Sequence, residues 1–277
     1  MILITGATGN VGRLVLERLA ADGRKVRALS RNPEDVRWPS GVEAVAGDLT
    51  DAESLAAALN GVEAVFLFAA PGSGPGFTAA AEAAGVRRVV LLSSGAVDDA
   101  AEAQDGPIAA YHWEIEQALR ASSLAWTFLR PEVFAANVLP WAHQTKSGDE
   151  IRGAYAEAAS SPIHEADIAD VAVAALTSDG YAGTIHHLSG PESLTHADQA
   201  RILGEVLGRP IRYIEVPVEA VRQQMSAHVP APILDSIIKI WAESVETPRP
   251  VTDGVEAVTG QRPRDFRTWV RDHAEAF

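Results

Sequence analysis

Over the first 130 residues, short apolar runs alternate with stretches whose apolar positions recur at helical spacing. The run Met1-Ile-Leu-Ile-Thr5 predicts a buried strand, and residues 11–21 an amphipathic helix behind a glycine-rich turn. Strands are predicted over 25–30, 42–46, 64–69, 89–93 and 126–129. Helices are predicted between them over 51–59, closed by Asn60-Gly61, over 77–84, ended by Gly85, and over 108–121. Strands that alternate with helices and lack hairpin turns imply a parallel sheet covered on both faces, a doubly wound α/β architecture.

After Pro131 the rhythm loosens. A helix is predicted over 133–143, followed by a glycine-bounded segment around 151–155. A helix over 167–176 and a strand over 184–188 look like parts of the main sheet, so segments of about 162–190 are expected to return to it. Beyond them come a helix over 195–207 with Thr195 as N-cap, a strand over 211–216 and an apolar helix over 230–245. Residues 1–150 are read as the main domain, and 151–277 as a smaller, mixed substrate or cap region.

Composition narrows the chemistry. The 277 residues carry 23 Lys and Arg against 37 Asp and Glu, a formal charge of −14 that repels phosphate backbones and argues against nucleic-acid binding. With no cysteine there is no disulfide, thiolate nucleophile or iron–sulfur cluster. No run approaches 18 uncharged apolar residues and the first residues read as a strand rather than a leader, so a cytoplasmic protein without membrane association is expected. Lysine is confined to Lys25, Lys146 and Lys239.

The most specific signal is Thr5-Gly6-Ala7-Thr8-Gly9-Asn10-Val11-Gly12, between a predicted strand and a predicted helix. In that context Gly6 allows the tight turn, Gly9 lets the backbone approach a pyrophosphate, and Gly12 lets the helix sit close on the strand. Free N–H groups at the helix start then face the diphosphate. The fold is therefore read as Rossmann-type. The second strand ends Ala28-Leu29-Ser30-Arg31-Asn32-Pro33 without a carboxylate for a ribose 2′-hydroxyl, which favours NADP(H) over NAD(H), with Arg31 toward the 2′-phosphate. Asp48-Leu49, after the third strand, is placed to close over the adenine.

These residues, with Gly47-Asp48-Leu49-Thr50-Asp51, Leu129-Arg130-Pro131, the segment from Pro162 to Ala169 and the segment from Leu188 to Thr195, resemble the NmrA-like branch of the atypical short-chain dehydrogenases/reductases. The resemblance implies an NADP(H) site built from the glycine loop (Gly6, Thr8, Gly9, Asn10, Val11 and Gly12), Ser30, Arg31, Asp48 and Leu49. It adds Phe68, Ala69 and Ala70 on the fourth-strand loop and Ser93 after the fifth strand, with Pro131 and Phe134 near the nicotinamide. The family includes quinone reductases, reductases of plant phenolics and redox-sensing binders, so it implies the cofactor more firmly than a reaction.

The usual short-chain dehydrogenase acid is a tyrosine with a lysine four residues later. Tyr111, Tyr155, Tyr181 and Tyr213 are followed at that spacing by Ile115, Ala159, Ile185 and Pro217, so no such pair exists. Many NmrA-like relatives place a lysine four residues before a glutamate; with that glutamate at Glu116, His112 takes the lysine's place beside the ribose. His112 is the candidate catalytic helper, since imidazole donates a hydrogen bond or a proton near neutral pH, and plain positioning of the ribose is the competing role. Gly95 stands where related branches carry a third hydroxyl after Ser93 and Ser94.

A quinone spreads the charge that hydride addition creates, whereas a simple ketone makes a localised alkoxide and gains more from an acid. The sequence thus points to NADPH-dependent reduction of a quinone or other conjugated carbonyl. An NADP(H)-sensing binding protein and a redox-neutral cyclase or dehydratase stand as alternatives. Phe134, Asn137 and Trp141, on one face of the helix predicted after Pro131, join Trp241 and His164 as a candidate pocket for a flat, mostly apolar small molecule. Core packing explains each Trp equally well, and Asp167 is expected to cap the helix after His164. His186 and His187 lie in a strand and point to opposite faces, so no metal site is expected. A homodimer is left open.

Overall fold

In the computed structural model, which describes residues 1–68 and 70–277, the apolar runs of the first half become strands of one parallel sheet. The chain runs through β1 (Ile2–Ile4), α1 (Asn10–Ala21), β2 (Val26–Ser30), β3 (Val42–Ala46), α2 (Ala52–Ala58) and β4 (Ala64–Phe68). It continues through α3 (Gly74–Ala83), β5 (Arg88–Leu92), α4 (Gly106–Arg120) and β6 (Ala125–Pro131). The second half begins with β7 (Val133–Phe134), a 3₁₀ segment (Ala135–Trp141) and α5 (Ala142–Thr145). Then come β8 (Glu150–Gly153), β9 (Ala159–Ser160), β10 (Pro162–Ile163), α6 (Glu165–Thr177), β11 (Thr184–Leu188) and β12 (Leu194–Thr195). The remainder is α7 (His196–Leu207), β13 (Arg212–Glu215), α8 (Val218–Met225), α9 (Ala231–Glu246), α10 (Gly254–Thr259) and α11 (Phe266–Asp272).

The central sheet has the order β11-β6-β5-β4-β1-β2-β3, with every neighbouring pair parallel. Strand order reverses between β1 and β4, which opens a crevice at their carboxyl ends, the place where open α/β sheets bind ligands. One face packs on α1 and α6: Val11, Val15, Leu16 and Leu19, spaced for one stripe of α1, meet Ile168, Ala169 and Ala172 of α6 in a single buried cluster. The other face packs on α2, α3 and α4 through Leu55, Phe77, Ile115 and Leu119. A third cluster, centred on Trp269, Phe266, Leu203 and Ile151, holds the C-terminal elements together. No helix among the described residues is long and apolar enough to cross a membrane.

Two local expectations are corrected. The predicted helix over 133–143 is instead strand β7, a 3₁₀ segment and the four-residue α5. Val133 and Phe134 pair in parallel with Pro162 and Ile163, and Pro140 inside the segment lacks the N–H an α-helix would use. Asp167 does not cap α6. His164 is the N-cap, its Nδ1 accepting the Ala166 N–H at 3.1 Å, while the Asp167 carboxylate receives the Arg264 N–H and guanidinium.

Candidate functional site

At the β1–β4 crevice the glycine loop leads into α1, whose N-cap is Gly9 with no side-chain cap and no acidic residue in the first turn. The N–H groups at this helix start therefore face outward without an intrahelical acceptor. Thr8, Gly9 and Asn10 are exposed and Val11 is buried. Gly12 sits so close to the preceding turn that a Cβ there would lie 2.3 Å from the Gly6 carbonyl oxygen. Thr5 ties the loop to β4: its hydroxyl accepts the Phe68 N–H at 2.7 Å and donates to the Phe66 carbonyl at 3.2 Å.

On the outer side of the crevice, Ser30 ends β2 and its hydroxyl accepts the Asn32 N–H. Arg31 is exposed and has no hydrogen-bond or ion-pair partner among the described residues. The loop that carries it is pinned by Trp38, whose indole N–H donates to the Pro33 carbonyl at 2.8 Å. The Asp48 carboxylate accepts the Thr50 N–H at 2.8 Å and the Thr50 hydroxyl at 2.7 Å. Those bonds, with the nearby charge of Arg31, hold it below the usual carboxylate range. Leu49 packs on the core beside α2. Phe68 is half exposed at the end of β4, Ala70 accepts from Ser73, and Ala69 lies outside the described residues.

On the inner side, Ser93 after β5 donates its hydroxyl proton to Glu116 Oε1 at 2.6 Å, which leaves its lone pairs as acceptors. Glu116 is fully buried on α4 and is gripped by Arg130 of β6 through Nε at 2.9 Å and a terminal nitrogen at 2.6 Å. Arg130, itself 1% exposed, also holds Asp99 at 2.6 Å and 3.1 Å. Burial works against this guanidinium, but the two carboxylates outweigh it and keep Arg130 above its ordinary value.

One turn before Glu116 on the same face, His112 is buried, and its Nδ1 has no hydrogen-bond partner among the described residues. Burial pushes its pKa down to about 4. The ring is therefore neutral at physiological pH, a hydrogen-bonding group rather than a charged acid. In an NMR pH titration the folded-state ring should stay neutral until about pH 4. The unfolded ring takes up its proton near the ordinary value of about 6.5. His112 thus contributes stability above that value that is lost as pH falls toward 4, a loss His112→Gln should remove from the pH profile of thermal melting. A ring that titrates as an exposed histidine would refute this.

Beyond Pro131 the candidate pocket residues divide. Trp141 and Trp241 are brought together around His196, at 6.4 Å and 5.4 Å between ring centroids, with Tyr213 beside them. Phe134 is half-buried where the main core meets the C-terminal cluster, and Asn137 is exposed. His164 is turned away toward α11. Its Nε2 lies 3.2 Å from Asp272, and although burial opposes its charge, Glu165 and Asp272 outweigh that and raise its pKa. Tyr155, at φ 53°, lines a cavity of about 330 Å³ with Glu215, Val216 and Pro217.

Sequence reasoning passed over Asp99 and Glu132. Glu132 directly follows the Leu129-Arg130-Pro131 segment, yet nothing local announces that its carboxylate is buried. No group of three or more His, Asp or Glu that can hold a metal occurs among the described residues.

The crevice fits a dinucleotide: uncapped N–H groups at a helix start for the diphosphate, a half-exposed Phe68, and an orphaned buried nitrogen on His112. Comparison with known proteins agrees. A family model described as NAD(P)H-binding matches residues 6–179. A (4-alkanoyl-5-oxo-2,5-dihydrofuran-3-yl)methyl phosphate reductase of Streptomyces griseus is 43% identical over 287 residues, covering 100% of this chain and 99% of its own. An NAD(P)H azoreductase of Xenophilus azovorans is 33% identical over 288 residues, with 100% and 99% covered. The crystal structure of an NADPH-dependent quinone oxidoreductase of Escherichia coli in complex with NADPH shares the fold at a TM-score of 0.83 and 23% identity, covering 99% of this chain and 100% of that one.

Proposed function

The chain belongs to the NAD(P)H-binding, NmrA-like family of atypical short-chain dehydrogenases/reductases, and from that premise we propose that it reduces a quinone or enone with NADPH. The observation that carries this reading is the inner wall of the crevice. Where a phenol–ammonium pair would protonate a localised alkoxide, α4 presents a neutral, buried His112. With no such pair on α4, an acceptor that disperses its own charge is favoured. The name of the Streptomyces relative supports it, describing a dihydrofuranone whose ring double bond is conjugated with two carbonyls.

When bound, the reduced nicotinamide supplies the hydride. The start of α1 and the glycine loop hold the diphosphate, Arg31 the 2′-phosphate, and Asp48 and Leu49 the adenine side. His112 offers its free Nδ1 to the ribose, and Ser93 its lone pairs to a donor at the nicotinamide end. Pro131 and Phe134 flank the ring. Phe134, Asn137, Trp141 and Trp241 shape the pocket, the two tryptophans and His196 giving it an aromatic wall, while His164 is engaged with Asp272 instead.

The test is NADPH consumption by purified protein with quinones, enones and simple ketones in parallel. Turnover of the conjugated acceptors above the simple ketones supports the reading, and no turnover with any of them overturns it. Arg31→Ala is expected to weaken NADPH by about tenfold or more, as loss of a charge-assisted contact should, and NADH hardly at all. Equal losses for the two cofactors would refute the role of Arg31.

A further inference from the structure

We propose that Glu132 is the proton donor that completes the reduction, with His187 connecting it to solvent; this rests on the reductase reading above. Glu132 is the first residue past β6, and its N–H donates to the Leu188 carbonyl at 2.9 Å, which fixes it at the carboxyl end of the sheet between β6 and β11. It lies two residues beyond the buried Arg130, just past the last strand residue, Pro131.

That side chain is 5% exposed. It lies against Gly95, whose N–H donates to the Pro131 carbonyl at 2.9 Å. A Cβ built on Gly95 would come within 2.8 Å of the Glu132 carboxyl carbon and Oε1 and 2.9 Å of Oε2. The carboxyl group therefore fills the space that any side chain at position 95 would enter. The missing hydroxyl at Gly95 and the buried acid at Glu132 are one arrangement: an acid from just past β6 stands where the segment after β5 has nothing.

The two buried glutamates of this wall differ in their partners. Glu116 is held by Ser93 and Arg130, with Arg120 3.5 Å from its second oxygen. Glu132 has no arginine or lysine partner among the described residues. The ionisable group beside it among the described residues is His187, with Nδ1 3.5 Å from Oε1. His187 lies on β11 opposite Arg130, and its side chain is 44% exposed, so the ring spans from the buried carboxyl to water. Its backbone is held by Thr252, whose hydroxyl donates to the His187 carbonyl at 2.7 Å.

The electrophilic carbon of the acceptor gains hydride from reduced nicotinamide, which is thereby oxidised, and a C–H bond forms with both electrons. The π pair moves through the conjugated system onto the carbonyl oxygen. The Glu132 O–H bond breaks, its proton forms a new O–H bond on that oxygen, and the carboxylate recovers a proton from His187, which exchanges with water.

The test compares wild type with Glu132→Gln, which keeps shape and removes the transferable proton, and with Gly95→Ala, which keeps the acid but displaces it. On an enone, Glu132→Gln should lower kcat by about a hundredfold, the usual size of a general-acid contribution. The Kd for NADPH, from fluorescence titration, should stay within about twofold, well under the factor that 1.4 kcal/mol represents. Gly95→Ala should lower kcat by about tenfold or more through misplacement. In cofactor-free protein, the ring-nitrogen NMR signals of His187 should move in Glu132→Gln.

An active wild type with an equally active Glu132→Gln overturns this proposal alone, as does a variant whose loss lies wholly in NADPH affinity. Unmoved His187 signals remove the link to solvent. A wild type inert toward every acceptor overturns the reductase reading and this proposal with it.

Discussion

Gly12→Ala is expected to cost NAD(P)H binding at least about a hundredfold, because the added methyl misplaces the diphosphate site itself. Its Cβ would meet the Gly6 carbonyl oxygen at 2.3 Å and carbon at 2.8 Å, and the Thr5 oxygen at 3.1 Å. All three are backbone atoms in a turn that cannot swing aside, so α1 must retreat from β1. The N–H groups at the helix start move with it, and their alignment with the diphosphate is lost. The accompanying overpacking should lower stability by about 1–3 kcal/mol. Fluorescence titration with NADPH and thermal melting measure the two effects. Gly148→Ala, where a Cβ meets nothing within 4 Å, is the matched control and should change neither. Wild-type affinity in Gly12→Ala would disprove the diphosphate assignment.

Glu116→Ala is expected to destabilise the protein by about 3–5 kcal/mol, the cost of stranding a buried charge. Arg130 is 1% exposed and would keep only Asp99, which is partly exposed, while Ser93 would lose its acceptor. The double variant Glu116→Met with Arg130→Met removes both charges and should recover a large part of the loss, since an apolar pair of similar volume is often no worse than a buried ion pair. Urea denaturation reads both. A Glu116→Ala protein of near wild-type stability would show that the network carries little. The ion pair matters for the site because Glu116 fixes the direction of the Ser93 proton, and hence which way the serine lone pairs face.

Most of the main sheet was legible because β1, β4 and most of β5 are contiguous apolar runs, and α1 shows its buried stripe at 11, 15, 16 and 19. The stretch 132–143 was not, whereas α6, β11, α7, β13 and α9 lie where their spacing predicts them. Val133 and Phe134 have the spacing of a helix, yet pairing with Pro162 and Ile163 prevails, and that partner is invisible in a local window. The two-residue strands β9 and β12 have no pattern of their own and exist because they meet each other.

The candidate site divides in the same way. The glycine loop could be read as the tight turn between β1 and α1 because its geometry is written in neighbouring residues. The contacts among Gly95, Glu132 and His187 come from three separate strand ends and follow only from the order β5, β6, β11. His164 shows the limit of a local reading. Its position before α6 was foreseeable, but its bond to Asp272 spans 108 residues.

The seventh strand also sets a timetable for synthesis. Until β11 is made, β6 is an open edge whose unpaired backbone groups border buried Phe128 and Leu129, the kind of edge that recruits other chains. At ribosomal speeds of roughly 5–20 residues per second, the interval between the ends of β6 and β11 lasts about 3–11 s. During that interval the cofactor half can form all its other strands while its last border stays sticky. Slow codons or stalling between residues 131 and 188 would therefore raise misassembly more than the same delay placed after Leu188. The C-terminal half thus serves the nascent nucleotide domain as the cover for its edge.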